Sequence, residues 1–120
     1  MSEIIKLSEI AHARSGDKGN HANIGVVAHT PAGFEHLRQV LTAEWVYERF
    51  RVLGVTRVER YELPGIGALN FLLFDALAGG ASRSLRIDTQ GKLLSTALLE
   101  MEIARPAELE TMRRVASPTK

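Results

Sequence analysis

Hydrophobic and polar residues divide the N-terminal part of the chain into two apolar segments and a polar stretch between them. Residues 3–14, EIIKLSEIAHAR, mix β-branched and small apolar residues with polar ones, which favours a strand, although Leu7 and Ala11 are also compatible with a short helix. Residues 24–30, IGVVAHT, are a short apolar run bounded by turn residues. The pattern predicts two strands that pair antiparallel.

The stretch between them, residues 13–25 (ARSGDKGNHANIG), is rich in glycine, asparagine and charged residues. Glycine, asparagine and aspartate favour turns and left-handed backbone rather than the interior of a helix or a strand. The composition therefore predicts a loop that joins the two strands.

The next segment, residues 33–54, has apolar residues at the spacing of an amphipathic helix. Thr30 followed by Pro31 is typical of an N-cap and the first helical position. The apolar residues form two faces that are out of phase, and a break near Thr42, itself a good N-cap, explains the shift. Gly54 supplies the C-terminal stop. The two faces are Phe34, Leu37 and Leu41, and then Val46, Phe50 and Leu53.

Two segments of different composition follow. Residues 55–64, VTRVERYELP, alternate valine with charged residues and predict a strand that ends at Pro64. Residues 68–77, ALNFLLFDAL, form an apolar segment between two glycine pairs, and its length and alanines favour a helix.

The C-terminal third predicts a hairpin, a strand and a tail. Residues 82–95, SRSLRIDTQGKLLS, place a polar turn between two apolar runs and predict a β-hairpin. Residues 97–103 alternate as a strand does, although the spacing of Leu94, Leu98 and Met101 would also suit a helix. Residues 105–120 predict a short helical or frayed tail.

The order of these elements indicates the fold class. Strands and helices interleave, which predicts an α+β sandwich with one mostly antiparallel sheet and helices on one face. A chain of 120 residues is long enough for one core, so we expect a single domain over residues 1–120.

Composition narrows the functional classes. The net charge of +1 gives no electrostatic reason to bind nucleic acid or an anionic membrane. The absence of cysteine excludes disulfides, thiolate metal sites and thiol catalysis. The N-terminus does not resemble a signal peptide and no apolar stretch reaches membrane-spanning length, so we expect a cytoplasmic protein.

Seven of the ten glycines fall into three clusters, which suggests three special loops. If the loops converge, they would form a glycine-lined cleft whose backbone N–H groups and basic residues favour an anion such as phosphate or carboxylate. The spacing matches neither a Walker A sequence nor a dinucleotide-binding fingerprint, so nucleotide hydrolysis is not expected. In the simpler alternative, Asp17 and Asn20 cap a turn. Arg14 and Lys18 are then solvated or pair with carboxylates. The clusters are Gly16, Gly19 and Gly25; Gly65 and Gly67; and Gly79 and Gly80.

Catalytic and metal chemistry have less support from the residues. Asp17 beside Lys18 is a candidate general base, although adjacent loop residues need not face one another. The histidines lack the close helical spacing of a zinc motif, so we expect no metal site and no cofactor. Trp45 indicates helix packing or a subunit contact rather than a base-stacking platform. The histidines are His12, His21, His29 and His36.

Two segments, AHARSGDKGNHANIGV (residues 11–26) and RYELPGIGALNFLLFDALAGGASRSLRIDTQGK (residues 60–92), carry a resemblance. Over residues 7–103 the chain resembles the C-terminal domain of the acyclic terpene utilisation protein A family. The resemblance implies a ferredoxin-like α+β domain. It also implies an association with bacterial breakdown of branched acyclic terpenoids, alongside enzymes that act on acyl-CoA esters. The 120 residues do not include the large N-terminal domain of the longer family members, so catalysis residing there is not carried over.

The resemblance also carries over a set of motif residues, and we expect them to form a shared ligand site. The first hypothesis is a binding module or auxiliary subunit whose loops hold the anionic part of a carboxylate or acyl-CoA. Lys18 and Arg14 would supply charge, and Phe71 and Leu72 would line an acyl channel. The motif residues are Arg14, Ser15, Gly16, Asp17, Lys18, Gly19, Asn20, Asn23, Leu69, Asn70, Gly79, Gly80, Arg83 and Ser84.

Two alternatives stay open at this point. The domain could be a non-catalytic unit that docks onto a separately encoded large domain, or forms homo-oligomers, because an open sheet edge is often paired across a symmetry axis. It could also be a small hydratase or hydrolase with Asp17 as its base. We expect a homo-oligomer.

Overall fold

A computed structural model of the chain describes residues 3–18, 21–75 and 92–113, and the structural statements below concern these residues. Short 3-10 turns connect several of the regular elements, and one of them, Leu109–Thr111, lies in the predicted C-terminal tail. The described strands are β1 (Ile4–Lys6), β2 (Ala11–Lys18), β3 (His21–Ala28), β4 (Arg57–Leu63), β5 (Ala68–Phe74) and β6 (Glu102–Ala104). The described α-helices are α1 (Pro31–Val40), α2 (Ala43–Phe50) and α3 (Lys92–Leu99).

The main sheet has four strands in the order β2-β3-β5-β4, and every neighbouring pair is antiparallel. β1 pairs with β6 in a separate two-stranded sheet. From β3 onwards the chain follows the ferredoxin-like plan of strand, helix, two strands and helix. The place of the final strand in that plan is taken by β2, which precedes β3 in the sequence. The prediction of a ferredoxin-like α+β fold is confirmed.

One face of the sheet is buried under the helices. Alternate residues of β3 and β5, including Ile24, Val26, Phe71 and Leu73, are fully or almost fully buried. They join one hydrophobic core with the apolar faces of the three helices, as binary patterning requires. None of the described helices covers the opposite face, which we call the open face. The helix residues in the core include Leu37, Val46, Phe50, Leu94 and Leu98, and Leu41, directly after α1, joins them.

The helical region divides where the sequence predicts. Thr30 Oγ1 accepts the N–H of Gly33 at 3.0 Å, and α1 begins at the following proline. Thr42 Oγ1 accepts the N–H of Trp45 at 3.0 Å and begins α2. Gly54 has a left-handed backbone with φ of 94°, which ends the region. The predicted N-caps, the break and the glycine stop are confirmed.

The prediction of a loop over residues 13–25 is wrong. β2 continues to Lys18 and β3 begins at His21, so most of the glycine-rich stretch lies in two long strands. The antiparallel pairing of the flanking segments is confirmed. Turn composition misled the prediction because Gly16 and Gly25 lie on the open face, where no side chain is needed for packing.

The prediction of a helix over residues 68–77 is also wrong. Residues Ala68–Phe74 form β5, a central strand with neighbours on both sides. Leu69, Phe71 and Leu73 are buried in the core, and this packing overrides the helix propensity of leucine and alanine.

Two other predicted elements are corrected. The first predicted strand is divided into β1, a 3-10 turn at Leu7–Glu9 and β2. The second arm of the predicted hairpin at residues 82–95 belongs to α3, while residues 82–91 lie outside the described residues. The helical alternative for Leu94 and Leu98 is correct, and the final strand is confined to β6. In the described part of the chain no helix is long and apolar enough to cross a membrane.

Candidate functional site

Strand register brings several of the predicted site residues together on the open face. Arg14 is opposite Gly25, which is in turn opposite Asn70, and Gly16 is opposite Asn23. Opposed residues of antiparallel strands project from the same face of a sheet. These five residues therefore form one shallow area, which we call the glycine depression, with two glycines on its floor.

The backbone does not require glycine at Gly16 or Gly25. Among the described glycines only Gly54 and Gly67 have positive φ. A Cβ added at Gly16 would lie 3.5 Å from Asn23 Oδ1, and one at Gly25 would lie 3.8 Å from Asn70 Oδ1, which are ordinary van der Waals distances. Glycine inside a strand is less stable than alanine by about 0.5–1 kcal/mol and often marks a close approach of a ligand or another backbone.

Three of the five residues of the depression carry polar side chains. Asn23 Nδ2 donates to Asn70 Oδ1 at 3.1 Å, so the two amides hold each other in place. The Asn70 amide N–H groups are left to donate to a bound molecule. Arg14 is exposed and makes no ion pair with any of the described residues. An amide donor beside a guanidinium suits a carboxylate.

The neighbouring edge of the open face, along β4, is occupied by residues that bind one another, and it borders the depression where Tyr61 lies opposite Asn70. Arg57 lies 3.2 Å from Glu59 and its guanidinium is 4.0 Å from the ring centroid of Phe74. Tyr61 Oη donates to Glu59 Oε1 at 2.5 Å, and this hydrogen bond to a carboxylate raises the pKa of Tyr61. We call Arg57, Glu59, Tyr61 and Phe74 the β4 cluster. Its charges are already partnered.

Some predicted site residues lie elsewhere. Ser15 Oγ accepts the N–H of Ser95 in α3 at 3.1 Å, which places Ser15 on the helical side of the sheet rather than in the depression. Leu69 and Phe71 are fully buried, so the predicted role of Phe71 in an acyl channel is wrong. Leu72 is half-buried and lies opposite Asn23 on the open face.

Other predicted site residues are not covered by the structure. The β2 backbone places Asp17 opposite Ala22 and Lys18 opposite His21, while their side chains lie outside the described structure. Convergence of the first and third glycine clusters therefore stays a prediction. The predicted residues outside the described ranges are Gly19, Asn20, Gly79, Gly80, Arg83 and Ser84.

The second glycine cluster lines a separate cleft. Gly65 and Gly67 lie between β4 and β5, where they face the beginning of α1 across a cleft of about 380 Å³. Most of its walls are apolar, and His29 at one side stacks on His12 with 5.9 Å between the ring centroids. The lining residues also include Ala28, Thr30, Pro31, Phe34, Pro64 and Ile66.

A contact between two strand ends was not anticipated from the sequence. His21 Nδ1 accepts the N–H of Asp75 at 2.9 Å, and Asp75 has a positive φ of 64°. Thr56 Oγ1 donates to Asp75 Oδ2 at 2.7 Å. No local sequence pattern predicts this contact, because its members are distant in sequence. Among the described residues no group of three or more His, Asp or Glu side chains is placed to hold a metal ion.

Comparison with known proteins gives one match. The family model of the AtuA ferredoxin-like domain matches residues 5–104. The matched range runs from β1 to the end of β6 and so includes both the glycine depression and the cleft. Searches of curated proteins and of solved structures gave no significant match.

Proposed function

The chain belongs to the AtuA ferredoxin-like domain family, and on that premise we propose that it is an auxiliary binding domain for an anionic small molecule. The ligand is a carboxylate or an acyl-CoA from the breakdown of acyclic terpenoids, and its anionic group binds in the glycine depression. The domain holds the ligand for chemistry performed elsewhere.

One observation carries this proposal. Gly16 and Gly25 leave an empty floor on a strand pair that could accommodate side chains, directly beside Arg14, whose charge has no ion-pair partner among the described residues. A strand gains stability from alanine at such positions, so the glycines are explained by something that must approach the backbone closely. A ligand that approaches the backbone at the two glycines and also neutralises Arg14 would explain both features.

Each bordering residue has a distinct part in binding. Arg14 supplies the charge, and the Asn70 amide donates a hydrogen bond to the anionic group. Asn23 fixes the orientation of Asn70 through the 3.1 Å hydrogen bond between their amides. Next to the depression, the hydroxyl of Tyr61, opposite Asn70, donates to the Glu59 carboxylate, so these two groups already hold each other, which supports binding over hydration or hydrolysis.

A docking function is the second candidate, and exposed apolar residues favour it. Tyr61, Leu63 and Ile66 are 48%, 44% and 66% exposed and follow one another along the end of β4 and the next turn. A separately encoded large domain or a second copy of this chain would cover them. Sedimentation in an ultracentrifuge separates the candidates, because Ile66→Ser would shift the mass only if this exposed patch is an interface.

Calorimetric titration with butyrate tests the proposed binding site, with coenzyme A and inorganic phosphate as comparison ligands. We expect saturable butyrate binding that is at least about tenfold weaker in Arg14→Ala, since a hydrogen bond to a charged group contributes about 1.5–3 kcal/mol. Arg57→Ala is the matched control on the same face and should bind within about twofold of the wild type. Equal binding by all three proteins would contradict the proposal.

A further inference from the structure

An imidazole that the proposed binding site does not use borders the glycine depression. His12 precedes Arg14 by two residues on β2, so both side chains project from the open face. His12 lies opposite Val27 of β3, and this pair is next to the pair formed by Arg14 and Gly25. The imidazole is therefore at the margin of the depression, on the same strand as the guanidinium.

A stacking contact limits the orientation of the His12 ring. The rings of His12 and His29 are stacked, with 5.9 Å between their centroids and 25° between their planes. His12 is exposed, whereas His29 is half-buried. A neutral imidazole donates one hydrogen bond, and a protonated one donates two and carries a positive charge. An exposed ring held by a neighbour is suited to donate to a bound molecule.

The charges around His12 and Arg14 favour an anion at both residues. On the described strands of the open face the acidic side chain is Glu59, which already accepts a hydrogen bond from Tyr61. Glu59 belongs to β4, three strands away from β2 and so about 14 Å away at a strand spacing of about 4.8 Å. A second anionic group beside His12 is therefore well separated from this carboxylate.

We propose that the ligand is a dicarboxylate, with one carboxylate bound by Arg14 and Asn70 and the other accepting a hydrogen bond from His12. This inference rests on the proposed function, because it uses the same anion site. It adds a second anionic group and a span between the two groups, and the anion site alone requires neither.

Strand geometry sets the span. Residues two apart on a strand, as His12 and Arg14 are, lie about 7 Å apart at a rise of about 3.4 Å per residue. An extended chain of six carbons, with C–C bonds of about 1.5 Å, has its terminal carbons about 6 Å apart. The methylene groups between the carboxylates would lie over Gly25 and Val27, where an apolar spacer meets glycine and a hydrophobic side chain.

The test is a calorimetric comparison of adipate, hexanoate and malonate. Adipate and hexanoate have six carbons each but two carboxylates and one, respectively. We expect adipate to bind the wild type at least about fivefold more tightly than hexanoate, because it gains a hydrogen bond to a charged group at an exposed position. Equal affinities for adipate and hexanoate would overturn the proposal.

Malonate separates span from charge. It carries two carboxylates on three carbons, so it is too short to reach both His12 and Arg14. We expect malonate to bind at least about threefold more weakly than adipate. Malonate binding as tight as that of adipate would mean that charge alone determines the affinity, which would also overturn the proposal.

His12→Phe places the gain at the imidazole, because phenylalanine keeps a ring against His29 but donates no hydrogen bond. The variant should bind adipate no more tightly than hexanoate. Arg105→Gln is the matched control for the loss of a positive charge, because Arg105 is exposed and follows β6 in the separate two-stranded sheet. Adipate should keep its advantage in Arg105→Gln. An undiminished advantage in His12→Phe, or an equal loss in both variants, would contradict the role of His12.

Arg14→Ala distinguishes this failure from failure of the proposed function. If adipate has no advantage but Arg14→Ala still weakens butyrate binding, the anion site stands and the dicarboxylate is wrong. If Arg14→Ala binds butyrate as the wild type does, the anion site itself is wrong.

Discussion

The two sides of the open face each carry an exposed arginine, but the arginines are engaged differently. In the β4 cluster, Arg57 is held by Glu59 and by the ring of Phe74. In the glycine depression, Arg14 has no ion-pair partner among the described residues and stands beside Gly25. Arg57 is therefore engaged within the fold, whereas we propose that Arg14, which lacks such a partner among the described residues, binds a ligand.

The two regions also differ in the size of their side chains and in strand stability. The β4 cluster has large side chains at each strand position, and they contact one another. The depression has two glycines at positions where a Cβ would meet no closer contact than 3.5 Å. The depression thus gives up strand stability that the β4 cluster keeps, and we propose that it does so to accommodate a ligand.

Of the substitutions considered, Asn70→Asp is expected to have the largest effect on butyrate binding. The aspartate keeps an oxygen that accepts the Asn23 N–H, but it replaces an amide donor with a negative charge. Two like charges about 5 Å apart repel by roughly 3 kcal/mol at an effective dielectric of about 20, so butyrate binding should weaken by more than tenfold. Calorimetric titration measures the change, and binding at the wild-type affinity would remove Asn70 from the site.

Gly25→Ala is expected to separate stability from binding. The added Cβ lies 3.8 Å from Asn70 Oδ1, so the fold accepts it and gains about 0.5–1 kcal/mol of unfolding free energy. The same methyl group occupies the floor of the depression, and butyrate binding should fall by several-fold.

The matched control for this variant is Gly65→Ala, because a Cβ at Gly65 meets nothing within 4 Å and the residue lies outside the depression. Urea unfolding and calorimetry are measured on both variants. Loss of stability without loss of binding in Gly25→Ala would mean that the glycine serves folding alone.

Glu59→Gln is expected to have the smallest effect on binding and acts on the β4 cluster. Tyr61 donates to the Glu59 carboxylate, so removal of that charge should lower the pKa of Tyr61 towards its ordinary value of about 10. Absorbance titration of the tyrosines reports the shift. Because the pair is exposed, the unfolding free energy should change little. A marked change in butyrate affinity would show that the β4 cluster belongs to the binding site.

Local chemistry in the sequence was enough to predict the helical region and the pairing at the N-terminus. Thr30 and Thr42 are N-caps whose hydrogen bonds are made within three residues, so no tertiary information is needed to find them. The central strand β5 was missed because its identity depends on the neighbours that pair with it on both sides. Leucine and phenylalanine alone do not specify which partner will bury them.

The candidate site was predicted in its residue types but not in its form. Arg14, Gly16, Asn23 and Asn70 do meet, yet on the face of a sheet rather than in converging loops. Ser15 was assigned to the site because it is adjacent in sequence, whereas strand alternation sends it to the helical side, where it accepts the Ser95 N–H. A register shift of one residue reverses such assignments, and the sequence alone did not reveal the register.

The most direct test of the account is a nuclear magnetic resonance titration of the isotope-labelled protein with butyrate. Each backbone amide, and each asparagine side-chain amide, reports on its own surroundings. We expect the largest shifts at the backbone of Gly16 and Gly25 and at the side-chain amides of Asn23 and Asn70, with small shifts in the β4 cluster. Saturable shifts confined to the β4 cluster, or none at the glycine depression, would contradict it.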